Sequence, residues 1–121
     1  MRGDEARVVS AFTAWLEAAG WTVSTEVDFC DVVAVRGDEQ LFAEAKGRTA
    51  AQGLDVDTMY GQILRRMPSP MPPNTRFAVV VPESSRHHVL RVPEDIRRSL
   101  RIDVFVVSDD GAVEAVPSSA S

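Results

Sequence analysis

Apolar and polar positions along this chain follow two periods, and glycines and prolines mark where one gives way to the other. From Asp4 to Ala19 the residues Val8, Phe12, Trp15, Leu16 and Ala19 recur at helical spacing, which predicts an amphipathic helix. Asp4 is placed to cap its start. Gly20 is placed to end it, as a left-handed residue does. Trp21 to Val27 then alternates and reads as a strand, with Trp21, Val23 and Thr25 on one face. Two further apolar runs, Asp31–Val35 and Leu41–Ala45, flank a polar segment containing Gly37 and Asp38. Gly-Asp between two such runs predicts a β-hairpin.

The second half of the chain repeats the pattern with different spacing. A polar loop follows Lys46, and Asp57 or Thr58 is expected to cap a second helix reaching Met67. Tyr60, Ile63, Leu64 and Met67 would form its apolar stripe. Pro68 to Thr75 is a proline-rich connector that cannot continue a helix. Arg76 to Val81 is nearly all apolar and reads as a strand covered on both faces. Short helices are expected over Ser84–Leu90 and Pro93–Leu100, then a buried strand over Asp103–Val107. Asp110-Gly111 turns the chain into a last strand, Ala112–Val116. The order predicts an α/β fold with a mixed sheet, as one domain over residues 1–116, followed by a disordered tail at 117–121.

The hairpin is where chemistry concentrates. With Gly37-Asp38 as its loop, Arg36 opposes Glu39, Val35 opposes Gln40, and Asp31 opposes Glu44. Glu44 and Lys46 then share the face that carries Asp31. Directly opposed residues have Cβ atoms roughly 5 Å apart. The hairpin is otherwise apolar on both faces, so the carboxylates belong at the end of a covered sheet. Two carboxylates sharing a partly buried site need a cation or a proton. Magnesium takes oxygen ligands of this kind, and a lysine beside them can orient or deprotonate a water. That is the layout of metal-assisted phosphodiester hydrolysis.

Asp31 at the start of one strand, followed by Glu44-Ala45-Lys46 on the next, resembles the PD-(D/E)xK nuclease superfamily, with Cys30 standing in place of the Pro. FAEAKG followed by YGQILRRM is similar to its Mrr-like and Holliday-junction-resolvase-like branches. The resemblance spans about residues 4–81. It implies a restriction-endonuclease-like three-layer αβα sandwich with an αβββαβ core. It also implies a magnesium-dependent endonuclease acting on DNA, with manganese as a substitute ion. In that scheme Asp31, Glu44 and the Ala45 carbonyl hold the metal, and Lys46 positions the attacking water or stabilises charge.

Other residues carry two readings each. Glu5 is either a first-turn acid favoured by the helix dipole or a further acidic group at the metal, as in many family members. Gln62 is either solvated or, as in related nucleases, close to the catalytic centre. Gly47 allows a close approach of the backbone to a ligand, or is a plain turn. Arg48 either contacts phosphate or is a solvated loop residue. Arg65 and Arg66 are the most basic local cluster and the leading phosphate contacts. Glu26 and Asp28 read as solvated, His87 and His88 as surface histidines, and Cys30 as a packed small group.

Composition narrows the partners. The net charge of −5 across 121 residues is incompatible with a wholly basic nucleic-acid-binding surface. Contact with DNA must be local or rely on metal ions, and a homodimer or a partner subunit is expected to supply target recognition. The single cysteine forms no internal disulfide, which suits a reducing cytoplasm. The first residues lack the apolar core of a signal peptide, and no run approaches a membrane span. The rival readings are a non-catalytic DNA-binding or protein-interaction module on the same fold, and a structural domain in which Lys46 neutralises Glu44.

Overall fold

The structure is a computed structural model that describes residues 3–116. The tail expected at 117–121 lies outside the described residues. Six strands form one sheet in sequence order: β1 (Thr22–Val27), β2 (Cys30–Arg36), β3 (Glu39–Ala45), β4 (Thr75–Pro82), β5 (Ile102–Val107) and β6 (Val113–Val116). The first three strands pair antiparallel, β3, β4 and β5 run parallel, and β6 returns antiparallel. Each parallel step needs a crossover. Helix α2 (Gln52–Arg66) supplies the first; the short helices α3 (Arg86–Val89) and α4 (Glu94–Ser99) supply the second. With α1 (Gly3–Ala18) the first elements run α1, β1, β2, β3, α2, β4, the αβββαβ order read from the sequence.

Each face of the sheet has its own core, so the molecule is a three-layer αβα sandwich. On one face α1 buries Val8, Phe12 and Leu16 against Val32, Ala34, Leu41, Ala43, Ala45, Val80 and Phe105. The Phe12 and Phe105 rings lie 4.8 Å apart, within the range of favourable aromatic pairs. On the other face α2 buries Val56, Met59 and Ile63 against Phe77, Val79, Val81 and Val104. β4 is therefore covered on both sides, as its continuous apolar run requires. α1 ends as expected: Trp21 N–H donates to the Leu16 carbonyl and Gly20 N–H to the Glu17 carbonyl, both at 3.0 Å, the paired bonds of a Schellman motif.

Three expectations need correction. Asp4 lies inside the first turn of α1 and does not cap it; its carboxylate instead accepts from Arg7 Nε at 2.8 Å and from the backbone N–H of Arg48 at 2.6 Å. Helix α2 begins at Gln52, well before Asp57, with no side-chain cap at Ala51. Thr49 Oγ1 accepts from Ala51 N–H and donates to the Asp55 carboxylate, tying the approach to the helix. The earlier start brings Val56 and Met59 into the buried stripe and leaves Leu64 46% exposed.

Candidate active site

The β2–β3 hairpin has the register expected of it: Arg36 pairs with Glu39, Val35 with Gln40, and Val32 with Ala43. Gly37, the first loop residue, has φ 59°, the sign that a tight hairpin turn of the II′ kind requires there. Continuing the register by one step sets Asp31 opposite Glu44. Asp31 Oδ2 accepts from the backbone N–H of Ala45 at 2.8 Å, so the side chain completes the ladder where the strands part. β3 then extends past Ala45, with Lys46 N–H donating to the Val80 carbonyl at 3.0 Å. This bond carries the strand alternation on to Lys46 and leaves its side chain half-buried on the Glu44 side.

Glu44 is the anomaly of this sheet. It is only 4% exposed, and its Oε2 is buried with no hydrogen-bond partner. Burial pushes its carboxyl up to about 7; the neighbouring Asp31 adds to the rise, and Arg66 and Lys46 offset it in part. Arg66, on the last turn of α2, sets Nη2 3.5 Å from Glu44 Oε2. Gln62 and Arg65 line the same cleft of about 300 Å³ with Glu44 and Arg66. Gln62 also borders an adjoining cleft of about 660 Å³ with Glu26, Asp28, Cys30 and Asp31. The structure thus gathers Asp31, Glu44, Lys46, Gln62, Arg65 and Arg66 at one end of the sheet.

Glu5 arrives by a different route. A Cβ on Gly47 would lie 2.3 Å from the Glu5 backbone nitrogen, so the loop after β3 touches the start of α1 backbone to backbone. The close approach at Gly47 is therefore to a helix, where the sequence offered a ligand or a plain turn. It brings Glu5 near enough to the pair that burial, and then the Asp31 charge, raise its carboxyl pKa. Among the described residues no three Asp, Glu, His or Cys side chains gather into a metal-holding group. Glu5 approaches the pair without joining it. Arg48 is exposed, and its backbone is held by Asp4.

The donor set nevertheless fits a hard divalent ion. A buried carboxylate oxygen that accepts no hydrogen bond, a second carboxylate with one oxygen uncommitted to the backbone, and the adjacent Ala45 carbonyl offer few oxygen ligands. Magnesium keeps several waters and is commonly bound by one or two carboxylates. Cys30 takes no part: its Sγ donates weakly to the Val32 and Ala43 carbonyls at 3.4 and 3.5 Å, and burial raises its pKa. His87 is exposed, and its ring lies 4.0 Å from that of His88, on α3. A separate cavity of about 480 Å³ lies at the opposite end of the sheet, by Trp15, Trp21 and Phe105. Two of its three arginines are paired with acids, Arg36 with Glu39 at 3.0 Å and Arg76 with Asp103 at 2.7 Å, and the third, Arg101, donates to the Pro72 carbonyl at 2.7 Å.

One residue at the site was missed in the sequence. Phe29 borders both clefts and is 98% exposed. A signal was present, since Asp28-Phe29 falls between two strand patterns, where small or polar residues are usual.

No family model matches the chain, and no curated protein matches it. Two solved structures share its fold. An XisH family protein from Nostoc punctiforme has a TM-score of 0.61 at 15% identity, covering 92% of this chain and 99% of the other. An fdxN element excision controlling factor protein from Anabaena variabilis has a TM-score of 0.55 at 14% identity, covering 93% and 99%. At these identities the likeness is one of fold. No helix among the described residues is long and apolar enough to cross a membrane.

Proposed function

We propose that this chain is a metal-dependent nuclease of the PD-(D/E)xK superfamily that hydrolyses phosphodiester bonds in DNA. The observation that carries the reading is the buried Glu44 Oε2 facing Asp31, which accepts no hydrogen bond and has only the Arg66 guanidinium at 3.5 Å, with Lys46 nearby. A carboxylate removed from water without a hydrogen bond is costly. Arg66 offsets that charge without a hydrogen bond, and a metal ion would complete what the arginine leaves unsatisfied. Asp31, Glu44 and the Ala45 carbonyl would hold the ion, with Glu5 as an outlying acid. A bound magnesium ion would polarise a phosphate oxygen and lower the pKa of a water on it.

The chain's own residues supply the rest. Asp31 is oriented by the Ala45 N–H, and Ala45 is anchored in β3, so the pair sits on rigid backbone. The Lys46 ammonium would orient the attacking water and stabilise charge developing on the phosphate. Gln62 lines the same cleft as Arg65 and Arg66, whose guanidinium groups, with that of the exposed Arg48, would take the phosphates on either side. The basic surface is local, which accommodates an overall charge of −5. Recognition of a target would fall to a second copy or a partner subunit. The fold is shared with a protein named as controlling excision of the fdxN element, a name in keeping with DNA as the partner.

The ion pair between Arg66 and Glu44 favours a second reading, in which the arginine replaces the metal and the fold serves as a non-catalytic DNA-binding or protein-interaction module. Incubation with branched, linear and nicked DNA in manganese decides between them. The nuclease reading expects cleavage that Lys46→Ala abolishes; no cleavage of any substrate by the wild type favours the module.

A further inference from the structure

We propose that Phe29 is a stacking platform for an unpaired base, so that the site takes a nucleic acid with an unpaired nucleotide next to the phosphate it holds. The inference rests on the nuclease reading and names its substrate class.

The β1–β2 connection is as short as a hairpin allows. Val27 pairs with Cys30, leaving Asp28 and Phe29 as the whole loop. Both have positive φ, 50° and 64°, and Glu26 before them has φ 55°. A two-residue loop with both φ values positive is the home of Asn-Gly. A bulky side chain at positive φ is an outlier. Phe29 gains no burial in return, because its ring is almost wholly in water. A residue that is both strained and exposed is a candidate for function.

Its surroundings indicate what it would bind. The ring stands at the mouth of the cleft that holds Glu44, Gln62, Arg65 and Arg66. Cys30, the next residue, is buried, and Arg66 Nη1 donates to the Asp28 carbonyl at 3.4 Å, so the loop is tied to α2. Apart from Val27, 37% exposed, the exposed groups around the tip are charged, Glu26, Asp28 and Arg65, and the half-buried Gln62 is polar. A single aromatic among polar groups does not make the contiguous apolar patch of a protein interface. It does match single-stranded recognition, where bases stack on aromatic rings and cations follow the backbone. Phosphates would lie on the Arg65 and Arg66 side, away from Glu26 and Asp28, and the base would lie on the ring. Inside a paired, stacked duplex no base face is available to it.

The test measures binding to two oligonucleotides, with calcium in place of magnesium. One is a fully paired duplex; the other carries an unpaired 2-aminopurine at a strand end. Wild type, Phe29→Ala, Phe29→Leu and Phe29→Trp are compared, each first shown to melt as the wild type does. We expect Phe29→Ala and Phe29→Leu to weaken binding of the unpaired substrate by roughly 5- to 150-fold, while affinity for the duplex stays within about twofold. Phe29→Trp should retain binding, and wild type and Phe29→Trp alone should quench the 2-aminopurine. Equal affinity of Phe29→Ala and wild type for the unpaired substrate overturns the proposal. So does equal loss on both substrates, or full retention by Phe29→Leu. Stacking without cleavage in manganese would remove the nuclease reading alone. No binding by the wild type would remove both.

Discussion

Arg66 Nη2 lies 3.5 Å from Glu44 Oε2, an ion pair in which that oxygen accepts no hydrogen bond. The arginine offsets the buried charge without satisfying its oxygen. It stands where it can give way to, or compete with, a metal ion. Arg66→Met keeps most of the side-chain volume and removes the charge. It should lower the melting temperature in EDTA at pH 8, and magnesium should raise the variant's melting temperature more than the wild type's. Paired thermal melts check this; an equal magnesium effect in both proteins would separate Arg66 from the metal site.

Metal-free stability should fall with rising pH. The Glu44 carboxyl is raised from 4.5 to about 7 in the folded protein, and Glu5 is shifted in the same direction. A carboxyl with a raised folded pKa binds its proton more tightly when folded. Its contribution is fully present below about pH 4.5 and is lost as pH rises through about 7. The loss from Glu44 is on the order of 3 kcal/mol. Glu44→Gln should be nearly flat over this window and match or exceed the wild type at pH 8 in EDTA. Denaturant melts from pH 4.5 to pH 8 measure it. A variant well below wild type at pH 8 would make Glu44 a structural ion-pair partner.

Lys46→Ala should abolish cleavage and leave the melting temperature within a few degrees. The side chain is half-buried at the sheet end, and only its backbone N–H ties it to β4. Retention of half the wild-type rate by the folded variant would remove Lys46 from the chemistry.

Gly47→Ala should act on both the fold and the site. The added methyl would meet the Glu5 and Asp4 backbone at 2.3 and 2.5 Å, contacts that only a backbone shift relieves. The cost should be about 2–3 kcal/mol. Urea unfolding measures it, and a change under about 0.5 kcal/mol would contradict the tight helix–loop contact.

Much of this was legible because strand and hairpin signals are local. The pairing of Asp31 with Glu44 followed from Gly37-Asp38 and two apolar runs, and the observed register agrees with it. The continuous apolar run of β4 indicated a strand covered on both faces, and it is. The start of α2 was hidden because Gly53 is a poor helix former, while Asp57-Thr58 resembles a cap. The contact between Arg66 and Glu44 depends on how far α2 reaches across the sheet, which no local pattern encodes. The approach of Gly47 to α1 joins segments more than forty residues apart. Phe29 went unnoticed because exposure of an aromatic is set by the turn geometry, and the turn departs from the usual residues.

The most direct test of the metal site is calorimetric titration of manganese into wild type, Asp31→Asn and Glu44→Gln at pH 8. The account predicts saturable binding to the wild type at millimolar concentration or tighter, and at least tenfold weaker binding to each variant. With a millimolar dissociation constant, ten-millimolar ion adds about 1.4 kcal/mol of stability, or roughly 3–7 °C, to the wild type alone. Absence of binding to the wild type, or equal binding by all three proteins, would contradict it.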